Sequence, residues 1–365
     1  MTEEEKTTMK VLVAGDAMIP GKQMGAAAEK YFGKYGATIE VMDWETKDKV
    51  ELQNRRINVE KNGPAAEAPP AGLLQKVADA DILMVHYTPV ARVVFEAAKR
   101  LKIVGTCRAG LENLDVQAAT DHKVPAFNIM GRNAEAVSDF AMGLILAEAR
   151  NIARSHAALK NGKWLKEFSN VATIPNMREK TIGLVGFGYV GQLVAQKALG
   201  FKMDVLVYDP YVSKEIVHVH GARKETIENI FKMSDFVSIH ARLTDATKGL
   251  VNENLINSMK PTAYLINTAR AGLIMHEALY KALKEKRICG AALDVFESEP
   301  LPEGHPLLAL DNVTITSHLA GTTVESLTDS PRLLAEDIDC LLSGGTPRWV
   351  KNTEVLNAFV PVSKW

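Results

Sequence analysis

Residues 181–191 read Thr-Ile-Gly-Leu-Val-Gly-Phe-Gly-Tyr-Val-Gly, and they are the most informative segment of the sequence for the fold. Its first five residues are typical of a buried strand, and the apolar spacing from Val190 onward predicts a helix. Between the two, Gly186 suits a tight turn, Gly188 lets the backbone approach a pyrophosphate, and Gly191 lets helix and strand pack closely. The strand, the glycine spacing and the helix together predict a dinucleotide-binding βαβ unit.

An acidic residue follows at the distance that such a unit requires. Asp209 ends the next predicted strand, about 20 residues after the glycines. Its carboxylate can accept hydrogen bonds from a ribose diol and would repel a 2′-phosphate. No arginine follows directly in Pro210-Tyr211-Val212, so the sequence predicts NAD rather than NADP as the cofactor. A purely structural glycine turn is the competing interpretation, and this context argues against it.

Short apolar strands alternate with helical periods on both sides of this unit. Strands are predicted at six places between residues 181 and 316 and at five places between residues 10 and 129. Strands separated by helices imply parallel pairing through right-handed crossovers. The sequence therefore predicts an α/β fold of two doubly wound parallel-sheet lobes. A Rossmann cofactor domain at 132–322 is inserted in a flavodoxin-like substrate domain at 1–131 and 323–365.

Three shorter segments also carry local predictions. A long helix is predicted from Asn133, a suitable N-cap residue, to about Ile152. Residues 60–72 are rich in Pro and Gly and predict a surface loop. The adjacent Arg55 and Arg56 are interpreted as a solvated face.

Composition excludes several classes of function. The 365 residues are 47% apolar and 24% charged, as in an ordinary globular protein. With Lys+Arg 43 against Asp+Glu 44, no basic surplus is available to bind nucleic acid. No apolar run approaches the ~18 residues of a membrane span. Three scattered cysteines show no metal or redox spacing and suggest free thiols. We expect a cytoplasmic protein with no metal and no nucleic-acid or membrane partner.

Three side chains of different chemistry follow successive predicted strands. They are Arg270 after 263–267, Glu299 after 289–293 and His318 after 313–316. The carboxyl ends of parallel strands meet at one edge of the sheet, where ligands bind. A guanidinium can hold a carboxylate bidentately and polarise the neighbouring carbonyl. An imidazolium can donate a proton to that carbonyl, and a carboxylate beside it orients the ring. Alone, Arg270 fits a solvated loop, Glu299 a surface acid and His318 a hydrogen-bonded histidine at a strand end. The set predicts hydride transfer to a 2-keto acid.

Several further motifs accompany these residues in order: 131–137 (Gly-Arg-Asn-Ala-Glu-Ala-Val), 267–272 (Asn-Thr-Ala-Arg-Ala-Gly), 293–300 (Leu-Asp-Val-Phe-Glu-Ser-Glu-Pro) and 317–318 (Ser-His). Together they resemble the D-isomer-specific 2-hydroxyacid dehydrogenases, most of all the phosphoglycerate dehydrogenase-like branch. The resemblance covers nearly the whole chain. It implies an NAD-dependent D-2-hydroxyacid dehydrogenase in which Arg270 binds the substrate carboxylate, Glu299 supports His318, and His318 is the acid and base.

The resemblance also implies cofactor contacts. Asp294 falls on the family's aspartate that contacts the nicotinamide carboxamide, and Tyr189 and Val190 fall on positions that touch the pyrophosphate. The remaining cofactor-lining positions fall on Thr268, Ala269, Arg270, His318, Leu319, Ala320 and Gly321. The chain departs from the family pattern at Ala271, where Gly is usual, and at Arg242 and Ser317, where Pro is common.

The substrate contacts are less determined. By resemblance, the backbone N–H groups of Ala109 and Gly110 contact the substrate carboxylate. Arg108 and Arg132 follow strands of the first lobe and either bind a second anion, as in a phosphoglycerate-like substrate, or pair with acids such as Glu112 or Glu135. The neighbouring Cys107 is a weak candidate for a reactive thiol.

Two alternative functions stay open. An NAD-binding corepressor or scaffold of the same fold can retain all three side chains, although no basic or disordered tail supports it. A formate dehydrogenase of this fold uses Gln where Glu299 stands, so the sequence argues against that activity. With the dehydrogenase we expect a small 2-hydroxy or 2-keto acid as substrate and a homodimer or higher homo-oligomer.

Overall fold

The structure is a computed structural model that describes residues 8–362. Within it the chain forms two compact units. The first comprises the residues up to Arg132 and those from Thr323 onward, and the second comprises Asn133–Thr322. The predicted functions of the two units, substrate domain and cofactor domain, stay predictions.

The first unit is built on a parallel sheet. Its strands are β1 (Lys10–Gly15), β2 (Thr38–Asp43), β3 (Ile82–Val85), β4 (Ile103–Thr106) and β5 (Ala126–Phe127). Its helices are α1 (Gly21–Phe32), α2 (Lys49–Asn62), α3 (Leu73–Val77), α4 (Arg92–Ala97), α5 (Val116–Asp121), α13 (Val324–Thr328) and α14 (Ser330–Leu342). The strand order is β2-β1-β3-β4-β5, which is the predicted flavodoxin-like order.

Helices cover this sheet on both faces, which explains the unbroken apolar runs of its central strands. In β1, Val11 and Val13 pack in a core with Phe32 of α1 and Leu334 of α14. The alternate residue Leu12 packs in the opposite core. Burying each such side chain contributes about 2 kcal/mol.

The predicted loop at 60–72 is partly wrong. Helix α2 continues to Asn62, and the chain leaves it through Gly63, whose φ is +83°. A short 3-10 turn at Pro64–Ala66 follows. The start of α2 is fixed by Asp48, whose carboxylate accepts hydrogen bonds from the first turn. The helix is polar overall, so apolar periodicity did not reveal it.

The solvated face predicted for Arg55 and Arg56 is also wrong. The Arg55 guanidinium lies 4.1 Å from the ring centre of Trp44 and pairs with Glu67 at 3.0 Å. The Arg56 guanidinium lies 5.4 Å from the ring centre of Tyr87. Both side chains are half-buried, because cation–π contacts hold them against the unit.

The second unit contains a larger parallel sheet. Its strands are β6 (Thr181–Val185), β7 (Asp204–Tyr208), β8 (Arg223–Lys224), β9 (Phe236–Ile239), β10 (Tyr264–Asn267), β11 (Gly290–Leu293) and β12 (Val313–Ile315). Its helices are α6 (Ala134–Ala149), α7 (Ile152–Lys160), α8 (Tyr189–Gly200), α9 (Lys214–Val219), α10 (Ile227–Met233), α11 (Glu253–Ser258) and α12 (His276–Lys284). The order β12-β11-β10-β9-β6-β7-β8 reverses between β9 and β6, as in a Rossmann fold. The predicted fold class is confirmed.

The long helix predicted from Asn133 is shorter than expected. Helix α6 ends at Ala149, because Asn151 adopts a left-handed conformation with φ +58° before α7 begins. Asn133 stands at the N-cap position, but its side chain makes no capping hydrogen bond there. Its φ of −107° and ψ of 13° lie outside the extended region in which such a bond forms.

The described residues contain neither a membrane-spanning helix nor a metal-binding cluster. No helix in residues 8–362 is long and apolar enough to cross a membrane. Within the same range, no group of three or more His, Cys, Asp or Glu side chains is arranged to hold a metal ion.

Candidate active site

The three glycines between β6 and α8 differ in their surroundings. Gly186 has a φ of +101°, and a Cβ there would lie 2.6 Å from the backbone N of Ala241. A Cβ on Gly191 would lie 2.3 Å from the carbonyl oxygen of Gly186. A Cβ on Gly188 would meet no described atom within 4 Å. Packing therefore requires Gly186 and Gly191, whereas Gly188 borders open space at the start of α8, where free N–H groups suit a phosphate.

Asp209 ties the end of β7 to this glycine loop. Its Oδ2 accepts a hydrogen bond from Phe187 N at 2.8 Å. Its Oδ1 accepts from Tyr211 N at 2.8 Å and from Val212 N at 3.1 Å. The carboxylate is thus held rigidly beside the glycine loop, as a ribose contact requires.

His318 and Glu299 form a hydrogen-bonded pair. Nδ1 of His318 lies 2.7 Å from Oε2 of Glu299, and Oε1 of Glu299 accepts from Phe296 N at 2.9 Å. The hydrogen bond with His318 holds the pKa of Glu299 below its usual range, and the Arg270 charge lowers it further. The structure therefore brings the three predicted catalytic side chains to the same edge of the sheet.

A buried carboxylate anchors the loop that carries His318. Asp294 is fully buried, and its oxygens accept from Thr316 Oγ1 at 2.6 Å, Leu319 N at 2.9 Å and Ala320 N at 2.9 Å. These bonds flank His318, which has a left-handed φ of +56°. Such strain persists only where surrounding contacts fix it. The implied contact between Asp294 and a nicotinamide carboxamide stays a prediction.

Arg270 and Thr268 stand directly after β10. The Arg270 side chain is exposed, and its Nη1 donates to the carbonyl oxygen of Ala269 at 2.7 Å. Thr268 is buried, and its hydroxyl has no hydrogen-bond partner among residues 8–362. A buried hydroxyl without a partner is costly, so it marks a place for a ligand oxygen or nitrogen. Together with the open space at Gly188, it fits a dinucleotide.

The other predicted cofactor positions lie at the start of α8 and on the loop that carries His318. Tyr189 is exposed at the start of α8, and Val190 is half-buried behind it. Ala320 is buried on the His318 loop. In Gly321, a Cβ would lie 2.5 Å from Nδ2 of Asn133, so only glycine fits that position without a shift.

In the first unit, Arg108 is surrounded by partners. Its Nη2 lies 2.7 Å from Oε1 of Glu60 and 3.3 Å from Oε2 of Glu112. Its guanidinium lies 4.6 Å from the ring centre of Tyr87. The Glu112 pairing was one of the two predicted outcomes. The Glu60 pairing was not predicted, because the two residues are 48 positions apart and lie on different elements.

The residues beside Arg108 differ in accessibility. No described residue accepts a hydrogen bond from the backbone N–H of Ala109 or of Gly110, so both groups are available to a ligand. Arg132 donates from Nη1 to the carbonyl oxygen of Cys107 at 3.2 Å. Cys107 is fully buried, and burial raises the pKa of its thiol. The suggestion of a reactive thiol is therefore not supported.

Similarity to known proteins places the chain in a family. Residues 142–320 match the D-isomer specific 2-hydroxyacid dehydrogenase, NAD binding domain. A glyoxylate reductase of Korarchaeum cryptofilum is 36% identical over 299 residues, covering 81% of this chain and 90% of the reductase. The chain belongs to the D-isomer-specific 2-hydroxyacid dehydrogenase family. The match to an NAD-binding domain also confirms the predicted NAD cofactor.

Two further proteins refine this comparison. A D-3-phosphoglycerate dehydrogenase of Methanocaldococcus jannaschii is 41% identical over 275 residues, which are 74% of this chain but 52% of that protein. This chain thus spans about half of that relative. The NAD complexed form of a D-isomer specific 2-hydroxyacid dehydrogenase from Lactobacillus delbrueckii ssp. bulgaricus is 20% identical, with a TM-score of 0.72 over 94% of this chain and all of that one. At this identity it supports the fold alone.

These relatives also decide between the predicted functions. They are named reductases and dehydrogenases, so the predicted class of NAD-dependent oxidoreductase is confirmed. The corepressor or scaffold and the formate dehydrogenase are not favoured. The names of the relatives give different substrates, namely phosphoglycerate, glyoxylate and hydroxypyruvate.

Proposed function

We propose that this chain catalyses the NAD-dependent, reversible reduction of a small 2-keto acid with a single carboxylate to the D-2-hydroxy acid. The observation that carries the proposal is the hydrogen bond between His318 and Glu299, formed where the charge of Arg270 also acts. A guanidinium, an imidazole and a carboxylate supply the carboxylate contact, the proton and the support that this reaction needs.

Each of these side chains has one proposed role. The Arg270 guanidinium binds the substrate carboxylate and polarises its carbonyl. His318 donates the proton from Nε2 to the carbonyl oxygen during reduction and takes it back during oxidation. Glu299 accepts the Nδ1 hydrogen bond, which orients the imidazole and stabilises its charged form.

The cofactor positions of the second unit are proposed to hold NAD, which supplies the hydride donor or acceptor when bound. The glycine loop with Tyr189 and Val190 holds the pyrophosphate, and Asp209 binds the ribose. The remaining proposed contacts are Thr268, Ala269, Arg270, Asp294, His318, Ala320 and Gly321. On this basis we propose that 132–322 is the NAD-binding domain and that 1–131 with 323–365 is the substrate domain.

The charge around Arg108 supports a singly charged substrate. Its positive charge already lies beside the carboxylates of Glu60 and Glu112. A second substrate anion would have to displace these partners, which costs free energy because a buried charge loses its pairing. Carboxylate contacts from the N–H groups of Ala109 and Gly110, and a side-chain contact from Arg132, stay predictions, as does a homodimer.

A comparison of matched substrates tests the proposal. NADH oxidation is measured with glyoxylate, with hydroxypyruvate and with 3-phosphohydroxypyruvate, and the chirality of the glycerate product is determined. We expect D-glycerate, and a kcat/KM at least ~10-fold higher for an unphosphorylated acid than for the phosphorylated one. A preference for 3-phosphohydroxypyruvate would contradict the singly charged substrate, and absence of turnover with every 2-keto acid would contradict the reaction.

A further inference from the structure

The strand order of the second unit reverses between β6 and β9, and the loops that follow these strands flank one crevice. In open α/β sheets such a crevice binds the ligand. The two loops are in direct contact here. His240 N donates to the carbonyl oxygen of Val185 at 2.8 Å, and a Cβ on Gly186 would lie 2.6 Å from Ala241 N. The chain after β9 is thus packed against the glycine loop.

Arg242 is the next residue on this chain, and packing does not explain it. Its side chain is exposed, and within residues 8–362 its guanidinium has no hydrogen bond and no ion pair, not even with Asp245 on the same loop. Its backbone is fixed, because Thr247 Oγ1 donates to the Arg242 carbonyl oxygen at 2.6 Å and accepts from Thr244 N at 2.8 Å. A cation without a partner is therefore held on an ordered loop beside the proposed pyrophosphate site.

We propose that Arg242 is a cofactor-binding residue whose guanidinium contacts the pyrophosphate of NAD. It stands two positions after His240, the last residue hydrogen-bonded to β6, a span of at most ~7 Å. The long arginine side chain can reach back over that distance to an anion at the start of α8. A guanidinium on a phosphate forms a charge-assisted hydrogen bond, which is stronger than a neutral one.

The position of Asp209 distinguishes this contact from recognition of a 2′-phosphate. Asp209 follows β7, which lies on the opposite side of β6 from β9. The adenosine ribose binds at that acid in this fold. Arg242 therefore stands on the other flank of the glycine loop, where it adds affinity for the phosphates shared by both dinucleotides.

The test measures binding to the full chain by titration calorimetry, without substrate. Arg242→Gln is compared with the unaltered protein for NADH, NADPH, ADP and adenosine. Lys248→Gln, which removes an exposed cation six residues further on, is the matched control. Thermal melting confirms that each variant is folded, and Arg242→Lys tests whether a point charge restores part of the affinity.

We expect Arg242→Gln to raise the Kd of NADH and of ADP by about 5- to 10-fold, with a weaker dependence on salt. Adenosine binding should not change, and Lys248→Gln should leave all affinities unchanged. Unchanged Kd values for NADH and ADP would overturn the proposal. So would an equal loss for adenosine, which would indicate stacking on the base, or a loss confined to NADPH, which would indicate a 2′-phosphate contact.

Discussion

Nδ1 of His318 lies 2.7 Å from Oε2 of Glu299, and both side chains are accessible, with 47% and 36% of their side-chain surfaces exposed. The first unit contains a second pair of this kind, in which His86 Nδ1 lies 2.9 Å from Oδ2 of Asp16, but both side chains are fully buried. The distances are similar, so accessibility distinguishes the pairs. Only the exposed pair can exchange a proton with a substrate.

The role of Glu299 depends on its charge as well as its position. Glu299→Gln keeps an oxygen that can accept from Nδ1 of His318 but removes the negative charge. We expect kcat to fall by about 10- to 100-fold, because the imidazolium loses its electrostatic support. Glu297→Gln, an exposed neighbour, is the control and should have normal kcat.

The ionisation state of Glu299 predicts how kcat depends on pH. The hydrogen bond with His318 holds the pKa of Glu299 below its usual range. The carboxylate is therefore ionised at every pH above that range. Titration of Glu299 should therefore not appear in the pH profile of kcat of the unaltered protein between about pH 5 and 9.

A kcat of Glu299→Gln equal to that of Glu297→Gln would show that the negative charge of Glu299 is not needed for catalysis.

Arg270 is predicted to act as a bidentate fork. Arg270→Lys keeps the positive charge but replaces the planar fork by a point charge, so KM for the 2-keto acid should rise and kcat should fall, by about 10-fold each. Steady-state kinetics at saturating NADH measure both constants. Kinetics equal to those of the unaltered protein would show that Arg270 is only a loop residue.

Asp209 is predicted to set the cofactor preference. Asp209→Asn retains one acceptor oxygen for the backbone N–H groups of Phe187, Tyr211 and Val212 but removes the charge that repels a 2′-phosphate. We expect the Kd of NADPH divided by the Kd of NADH to fall by at least ~10-fold. An unaltered protein that already binds NADPH more tightly would contradict the proposed role of Asp209.

Protonation of His240 is expected to make the free energy of unfolding depend on pH. Burial lowers its pKa from 6.5 to about 4, so the folded state resists protonation while the unfolded state accepts the proton. Stability is therefore lost as the pH falls from about 6.5 towards about 4, by up to about 3 kcal/mol from this group. Burial lowers the pKa of His86 too, in the same direction.

Thermal melting at two pH values isolates the His240 contribution. The melting temperature should fall less between pH 7 and pH 5 in His240→Gln than in the unaltered protein. His218→Gln, at an exposed position, is the matched control and should show the full decrease. An equal decrease in all three proteins would show that His240 is not the group responsible.

Sequence patterns predicted the central strands well and the polar elements poorly. Strand β6 spans Thr181–Val185 as predicted, because a buried parallel strand must be a continuous apolar run. Strand β8 consists of Arg223 and Lys224 only, and helix α2 is largely polar. Neither carries a hydrophobic pattern, so tertiary contacts determine both.

The same distinction applies to the site. Arg270, Glu299 and His318 could be predicted because each follows a recognisable strand of one sheet. The Glu60 partner of Arg108 could not, since Glu60 lies on a helix that the sequence did not reveal. The anchoring of the His318 loop by Asp294 also depends on three-dimensional geometry, namely two adjacent strand ends.

The most direct test of the proposed reaction is kcat of His318→Gln with the best 2-keto acid, measured together with the Kd of NADH. If His318 donates the proton, kcat should fall by at least ~10²-fold while the Kd of NADH stays within about 2-fold, because the glycine loop, Asp209 and the other proposed NAD contacts are unchanged. A kcat within about 3-fold of the unaltered protein, with the same Kd, would contradict the assignment of His318 as the acid and base.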